Sequence, residues 1–133
     1  MKCSLVIAMC LTIPFVTVEA SSLKEYNLQQ TLQAVAKKSN VGAPRKINTD
    51  LTDKGYTVQD NTLINHIEVS KKQAAEMRQY PKTTRKQLSE SVCKNTGYRD
   101  LLKRGAILSY KFTEKGNKQQ ITEELFFASD CGI

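Results

Sequence analysis

The first twenty residues of the chain differ in composition from the rest. Lys2 supplies a positive charge at the start, and residues 3–18 are apolar apart from one serine and two threonines. This run of about sixteen residues is shorter than the ~20 that a membrane-spanning helix needs, and Pro14 interrupts it. The pattern therefore predicts a secretory signal peptide over residues 1–20 rather than a membrane anchor.

The predicted cleavage point lies before Ser21. Val18 and Ala20 place small residues at the third and first positions before this cut, as signal peptidases require. Cleavage there leaves 113 of the 133 residues. A chain of that length forms one small domain, so we predict a single domain over residues 21–133 and exclude a multidomain enzyme.

Only two cysteines, Cys93 and Cys131, follow the predicted signal peptide. An exported protein folds in an oxidising compartment, where such a pair normally forms a disulfide. In the chain-entropy model, a bridge that closes a loop of about 38 residues contributes roughly 4 kcal/mol. A zinc site is the alternative, but zinc needs four ligands at short spacings and His66 is the only histidine. We therefore predict one disulfide, Cys93–Cys131, and no metal.

The first half of the predicted domain changes from a helical to a strand pattern. A helix is expected from about Ser21 to Gly42, with one apolar face formed by Leu28, Leu32, Val35 and Ala36. Short β-like runs follow at 47–49, 56–58 and 62–69, with turn residues between them at 53–55 and 59–61. We interpret these runs as a β-meander.

The second half repeats the change. Residues 71–104 have a helical pattern that Pro81 divides into two helices before a short helical turn, which Gly105 ends. The following residues alternate as in a hairpin around a turn at 114–117, with these side chains expected to face inward: Leu108, Tyr110, Phe112, Ile121, Leu125 and Phe127. The order predicts an α+β fold, in which helices pack on one face of an antiparallel sheet made of the meander and the hairpin.

Positive charge is concentrated in one segment of the chain. Residues 71–118 contain 13 basic and four acidic residues, whereas the rest of the chain after Ala20 contains six basic and eight acidic residues. A positive face attracts phosphates, anionic polysaccharides or acidic proteins, although helix faces exposed to solvent are commonly rich in lysine and arginine for no other reason. No interleaved aromatic residues accompany these charges, so a stacking platform for nucleic acid is not predicted.

If this segment is a binding face, spacing identifies its centre. The apolar residues Leu88 and Val92 should turn the charges before them outward, and the buried pair Leu101 and Leu102 should do the same for the charges that follow. The predicted anion-binding or partner-binding residues are Arg85, Lys86, Arg99, Lys103 and Arg104.

The sequence contains few groups that could perform catalysis. His66 lies in a strand pattern without a nucleophile-elbow motif, and a surface strand histidine is the simpler interpretation. Glu123 and Glu124 are adjacent, so they point to opposite faces of a strand and cannot pair as in a glycosidase. The glycines are isolated and form no phosphate-binding loop. We predict no catalytic residues and no cofactor.

Residues 91–132 resemble a known bacterial family. The segment has a cysteine on a helix, a Leu-Leu-x-x-Gly turn, an aromatic strand, a polar glycine turn and a closing cysteine: Cys93, Leu101–Gly105, Tyr110–Phe112, Lys115–Gly116 and Cys131. This order is similar to the C-terminal signature of the small exported proteins known as quorum-sensing-regulated virulence factors. Upstream, Ala43–Pro44 with Ile47–Asn48, and Asn61–Leu63 at the start of a strand, are similar to the preceding meander of that family. The resemblance implies export and host association, and it implies no catalytic residue.

We therefore expect a small exported bacterial protein, periplasmic or secreted, that binds an anionic ligand or an acidic partner through a basic face and is not an enzyme. Two alternatives remain open. An envelope structural factor or an inhibitor of another secreted protein would have an exposed apolar patch. A small hydrolase would have a cleft that brings His66 together with a carboxylate or hydroxyl group.

Overall fold

The computed structural model describes residues 20–133, and their side chains from Leu23 onward. The elements, in chain order, are α1 (Ala20–Ser39), β1 (Arg45–Lys46), β2 (Leu51–Gln59), β3 (Thr62–Val69), α2 (Lys71–Gln79), α3 (Pro81–Lys94), α4 (Thr96–Lys103), β4 (Ile107–Glu114), β5 (Gln120–Phe126) and a C-terminal 3₁₀ helix (Ala128–Cys131). Apart from Ala20, where α1 begins, the predicted signal peptide lies outside this range. None of the helices in residues 20–133 is long and apolar enough to cross a membrane.

The five strands form one sheet in the order β1-β2-β3-β4-β5. Three of the four neighbouring pairs are antiparallel, but β3 and β4 are parallel. The prediction of an α+β fold is confirmed, and the prediction of a wholly antiparallel sheet is wrong. Since three helices connect β3 to β4, the chain has enough length to return to the start of β3 and run parallel to it.

The core lies between one face of the sheet and the apolar faces of the helices. Residues 63, 67 and 69 of β3 and residues 108, 110 and 112 of β4 alternate inward, as predicted. They belong to one buried cluster with residues of all four helices, including Leu28, Leu32, Met77, Val92 and Leu102. That no helix covers the opposite face of the sheet stays a prediction.

The β-meander differs from the prediction in its first two strands. The run at 47–49 is not a strand, because β1 ends at Lys46 and Ile47 is exposed. The predicted turn at 53–55 lies inside β2, where the pairing with β3 is irregular between Asp53 and Gly55. Gly55 has a φ of +108°, and a Cβ atom there would lie 2.8 Å from Oδ1 of Asn40. A glycine is therefore needed for the bulge and for the close approach of α1, and it does not mark a turn.

The side chain of Asn40 hydrogen-bonds the backbone of β2 at the edge of the sheet, as a neighbouring strand would. Its Nδ2 donates to the carbonyl of Tyr56 at 2.9 Å, and its Oδ1 accepts from the Tyr56 amide. These two bonds satisfy backbone groups that β1, with only two residues, is too short to reach.

The C-terminal hairpin forms as predicted, but β5 presents different residues to the core. Phe126 is fully buried, whereas Leu125 and Phe127, which were expected inward, are exposed. A bulge shifts the register between Phe112 and Thr113. Strict alternation across this bulge therefore assigns the wrong face to the end of the strand.

Local signals define the three helices between β3 and β4. The Ser70 hydroxyl accepts from the Gln73 amide at the start of α2, and the Asn95 side chain caps α4 in the same way. Pro81 begins α3, because proline lacks the N–H that would continue α2. Gly105, at a φ of +95°, follows α4 and lets the chain turn into β4.

The predicted disulfide is confirmed. Cys93 and Cys131 are joined, with their Cα atoms 5.3 Å apart. The bond ties the last turn of α3 to the C-terminal 3₁₀ helix, and it holds the end of the chain against the helical layer.

Candidate functional site

An apolar groove of about 260 Å³ opens beside the connection between β1 and β2. Its buried lining residues are Ile67 of β3, Met77 of α2 and Phe112 of β4. Its full lining is Ile47, Leu51, Ile67, Gln73, Met77, Thr84, Gln87, Leu88 and Phe112. We call this surface the apolar groove.

The groove exists because α2 and α3 are separate helices. Met77 and Thr84, which lie on either side of the break at Pro81, also line two further depressions. One of these includes Tyr80, and the other includes Ile121 of β5. The three depressions therefore share two lining residues, and their linings together include residues from the β1–β2 connection to β5.

Ile47 is the most exposed hydrophobic residue that lines the apolar groove. It is 57% exposed, although a large aliphatic side chain is normally buried, and it directly follows the two-residue strand β1. Partly buried Leu51 and Leu88 extend the apolar surface from Ile47 into the groove. Exposed aliphatic surface next to a concave depression is typical of a binding site for another apolar group.

Three exposed lysines, Lys46, Lys72 and Lys86, each directly precede a residue that lines the apolar groove, and we call these positions its rim. Glu76, which lines an adjoining depression, is the one acidic residue of α2. The excess of basic over acidic residues at these positions favours an occupant with acidic residues next to its apolar part.

A second, polar depression of about 470 Å³ lies between α1 and the end of α4. We call it the basic cleft. Lys24 and Asn27 line it from α1, and Lys103 and Arg104 line it from α4 and the residue after it. The Arg104 guanidinium donates through Nη2 to Oγ1 of Thr31 at 3.0 Å, which holds it toward α1.

The cations of the basic cleft are not neutralised within residues 20–133. The ion pairs formed there involve only Arg78, with Glu114, and Arg85. Lys24, Lys103 and Arg104 therefore have no carboxylate within 4.0 Å among the described residues. Two of the predicted binding residues, Lys103 and Arg104, lie in this cleft.

Arg85, which was also predicted as a binding residue, is bonded within the protein. Its guanidinium donates to Glu124 at 3.0 Å and to Asp130 at 3.4 Å, and it also donates to the Leu125 carbonyl. It lies 4.6 Å from the ring centre of Phe126. These contacts join α3 to β5 and to the C-terminal 3₁₀ helix.

The two remaining predicted residues lie elsewhere on the helices. Arg99 donates to the carbonyl of Cys93 at 3.1 Å, and Lys86 is exposed at the rim of the apolar groove. The five predicted residues thus lie next to different elements. Arg85 contacts β5, and Arg99 contacts the end of α3. Lys103 and Arg104 line the basic cleft beside α1, and Lys86 lies at the rim of the apolar groove. Binding of an anion by these five residues stays a prediction.

A cluster of tyrosines lies under α4. The Tyr56 and Tyr98 hydroxyl groups are 3.3 Å apart, and Asn65 donates to the Tyr56 hydroxyl at 3.2 Å. Burial and the contact with Tyr98 raise the pKa of both Tyr56 and Tyr110. Oδ1 of Asn65 is buried, with no hydrogen-bond partner among the described residues. The hydroxyl groups of Tyr56 and Tyr110 therefore remain neutral, and the hydrogen bonds of Tyr56 link β2 to β3 and to α4.

His66 lies on the sheet face opposite to the core. Its Nε2 is 2.7 Å from Oγ1 of Thr57, and Lys111 is its neighbour on β4. Burial, and then the charge of Lys111, lower its pKa, while Glu123 opposes this shift. The Ser109 hydroxyl donates to Glu123 at 2.8 Å on the same face. Within residues 20–133 no group of three or more histidine, cysteine or acidic residues is arranged to hold a metal ion.

Sequence reasoning did not identify the apolar groove or the α1 side of the basic cleft. The residues of the groove come from five different elements and from the β1–β2 connection, and each is unremarkable in its own segment. The exposed Ile47 was interpreted as a strand residue. Lys24 was not among the predicted binding residues, and nothing local indicates that α4 ends beside it.

Solved structures with the same fold come from three bacteria. A "putative secreted protein" from Pseudomonas aeruginosa is 52% identical, over 82% of this chain and 96% of its own, with a TM-score of 0.80. The pilotin EpsS of the Vibrio vulnificus type 2 secretion system is 17% identical, over 84% of this chain and 98% of its own, with a TM-score of 0.69. The type II secretion system pilotin AspS from Vibrio cholerae is 15% identical, over 84% of this chain and 99% of its own, with a TM-score of 0.63.

The sequence comparisons agree with the resemblance noted above. No curated protein matches the chain. Residues 21–132, however, match the family described as "Putative quorum-sensing-regulated virulence factor". The protein is exported, either to the periplasm or out of the cell, as predicted. The chain belongs to the quorum-sensing-regulated virulence factor family.

Proposed function

We propose that this exported protein is a binding protein rather than an enzyme, and that its apolar groove holds a segment of another protein of the cell envelope or of a secretion system. The observation that carries the proposal is the groove itself. It combines an exposed Ile47 with a concave apolar surface that reaches Ile67 and Phe112 in the sheet. A helix or extended segment with two or three apolar side chains would cover this surface.

The likeness to the two pilotins supports this class of function. EpsS and AspS belong to type II secretion systems, and their chains match this one over almost their whole length. At 15–17% identity the likeness demonstrates a shared fold only. A protein component of a secretion system is therefore the kind of partner that we propose for the groove.

The positive charge of the rim indicates what kind of partner segment the groove should bind. Lys46, Lys72 and Lys86 are exposed and each precedes a residue that lines the groove, so a partner segment with acidic residues beside its apolar ones should associate faster and more selectively than a neutral one. This agrees with the acidic partner expected from the sequence.

A binding role fits the chemistry of His66 better than a catalytic one. Its Nε2 is bonded to Thr57 on the sheet face opposite to the core, and the apolar groove is on the core side. The alternate residues of β3 place Ile67 in the groove and His66 away from it.

The test places a photo-reactive group in the groove. Ile47 is replaced by p-benzoylphenylalanine in the producing bacterium, and Val41 is replaced in a control strain. Val41 is 76% exposed and does not line the groove. We expect a crosslink from position 47 to one envelope or secretion-system protein, with no corresponding product from position 41.

The identified partner is then purified and its affinity is measured with Ile47→Asp and with Val41→Asp. Burial of an isoleucine side chain contributes roughly 1.5–3 kcal/mol, so Ile47→Asp should weaken binding about tenfold or more while Val41→Asp does not. Both residues are exposed, so neither variant should change the thermal unfolding midpoint. Equal affinities of the two variants, or the same crosslinks from both positions, would refute the proposal.

A further inference from the structure

We infer that the basic cleft, together with Leu23 and Tyr26 of α1, binds the phosphate headgroups of an anionic phospholipid surface. This site shares no lining residue with the apolar groove, so the inference does not depend on the proposed function. The arrangement would hold the protein at the face of a membrane.

The cleft has the donors that a phosphate group requires. Lys24 and Lys103 supply ammonium groups from opposite sides, and both side chains are exposed. Arg104 uses Nη2 to contact Thr31, and its other guanidinium N–H groups can donate to phosphate oxygens. Thr31 in turn donates to the carbonyl of Asn27, so the support of the guanidinium is part of α1.

The lining of the cleft contains no carboxylate, although Glu25 adjoins Lys24 in α1 and Asp100 lies one turn before Lys103 in α4. None of the cations of the cleft belongs to an ion pair formed within residues 20–133. Three uncompensated cations therefore converge on one open depression. Lysine and arginine side chains near an anionic membrane each contribute roughly 1 kcal/mol of attraction.

Two exposed apolar side chains distinguish a membrane surface from a soluble anion. Leu23 and Tyr26 are each 58% exposed and lie one helical turn apart, with Lys24 and Glu25 between them in sequence. The core side of α1 consists instead of Leu28, Leu32 and Ala36, so the exposed pair has no part in the core. Tyrosine and leucine beside cations are typical of a surface that lies against lipid headgroups.

A soluble anion would need the cations but not the apolar pair. An acidic polypeptide would also be held mainly by the cations. A phospholipid surface uses both features at once, since its phosphates meet the cleft while its acyl boundary accepts Leu23 and Tyr26. Lipid is therefore the occupant that accounts for both observations.

The test uses the protein purified after export from the cell and measures its partition onto two kinds of vesicle. One contains equal parts of phosphatidylglycerol and phosphatidylcholine, and the other is pure phosphatidylcholine. The test variant is Lys24→Gln with Lys103→Gln. The control is Lys115→Gln with Lys118→Gln, which removes the same charge from exposed residues of the β4–β5 turn.

We expect binding to the anionic vesicles only. At about 1 kcal/mol for each lysine, the test variant should bind these vesicles about 25-fold more weakly than wild type. The control should stay within about twofold of wild type, because its charges are outside the cleft. All the substituted side chains are exposed, so the unfolding midpoints should agree.

A second variant, Leu23→Ser with Tyr26→Ser, separates lipid from other anions. It should lose vesicle binding although all cations remain. Inorganic phosphate and soluble poly-glutamate serve as competitors and as direct ligands. The inference would be overturned if the test and control variants lost the same affinity, or if wild type bound both vesicles equally. It would also be overturned if wild type bound phosphate or poly-glutamate more tightly than vesicles and the Leu23 and Tyr26 changes had no effect.

Discussion

Arg85 offers the sharpest test of whether a predicted binding residue is instead structural. Its guanidinium forms ion pairs with Glu124 and Asp130, donates to the Leu125 carbonyl and lies over the ring of Phe126. We predict that Arg85→Gln lowers the stability of the protein. Glutamine keeps much of the length of the side chain but removes the charge and most of the donors.

The magnitude follows from the separate contacts. The Arg85 side chain is 42% exposed, so each ion pair is screened by solvent and contributes at most about 1 kcal/mol. The cation–π contact at a partly exposed site adds roughly 0.5–1 kcal/mol. Glu124, with a side chain only 15% exposed, also loses its cationic partner. We expect the free energy of unfolding to fall by about 2 kcal/mol, which lowers Tm by roughly 8 °C in a domain of this size.

The assay is chemical and thermal unfolding of wild type, Arg85→Gln and the neighbouring Lys86→Gln. Lys86 is exposed at the rim of the apolar groove, so its variant removes the same charge and should remain within about 0.5 kcal/mol of wild type. A double-mutant cycle with Glu124→Gln should give a coupling free energy of about 0.5–1 kcal/mol. If Arg85→Gln is as stable as Lys86→Gln, the contacts with β5 contribute nothing measurable and the structural account of Arg85 is wrong.

Three further predictions address export, the disulfide and pH. The intact mass of the exported protein should correspond to a chain that begins at Ser21, and a mass that retains residues 1–20 would contradict the predicted signal peptide. Free-thiol labelling of the native protein should find no reactive cysteine, and replacement of Cys93 and Cys131 by serine should lower the free energy of unfolding by roughly 2–5 kcal/mol; an unchanged unfolding midpoint would argue against this. The pKa of His66 is lowered in the folded protein, so the unfolded chain takes up the proton first as the pH falls. The contribution of His66 to stability is therefore complete above its ordinary pKa of 6.5, and it is lost as the pH falls through the lower pKa of the folded protein. His66→Gln should therefore lose less stability than wild type between pH 8 and pH 5, and identical pH profiles would show that His66 is not the responsible group.

Much of the secondary structure could be predicted because its signals are local. The helical spacing of Leu28, Leu32 and Ala36 defines the buried face of α1, and Pro81 and Gly105 mark boundaries of the later helices. The disulfide could also be predicted, since an exported chain with two cysteines leaves one pairing. The residues that predict a helix or its boundary belong to that helix or adjoin it, and the two cysteines have no alternative partner after the predicted signal peptide.

The features that the prediction missed depend on partners distant in the chain. Asp53–Gly55 has turn chemistry, but pairing with β3 keeps it inside a strand, and the contact with Asn40, which directly follows α1, explains its glycine. The bulge opposite Phe112 decides that Phe126, and not Leu125, enters the core. The sequence of one strand does not indicate its register with the neighbouring strand. The bulges, and the residues that they turn toward the core, are therefore decided only when the strands pair.

The same distinction applies to the candidate sites. The sequence by itself determined a small, basic protein and predicted its α+β fold, its disulfide and a signal peptide, because composition, periodicity and cysteine count depend on the chain alone. Only the tertiary structure decided that Arg85 meets Glu124 and Asp130, 39 and 45 residues away, while Arg104 meets α1, 73 residues away. Whether a charged side chain is exposed or forms an ion pair depends on which residues the fold places next to it. A groove likewise forms only where side chains of separate elements leave a space between them.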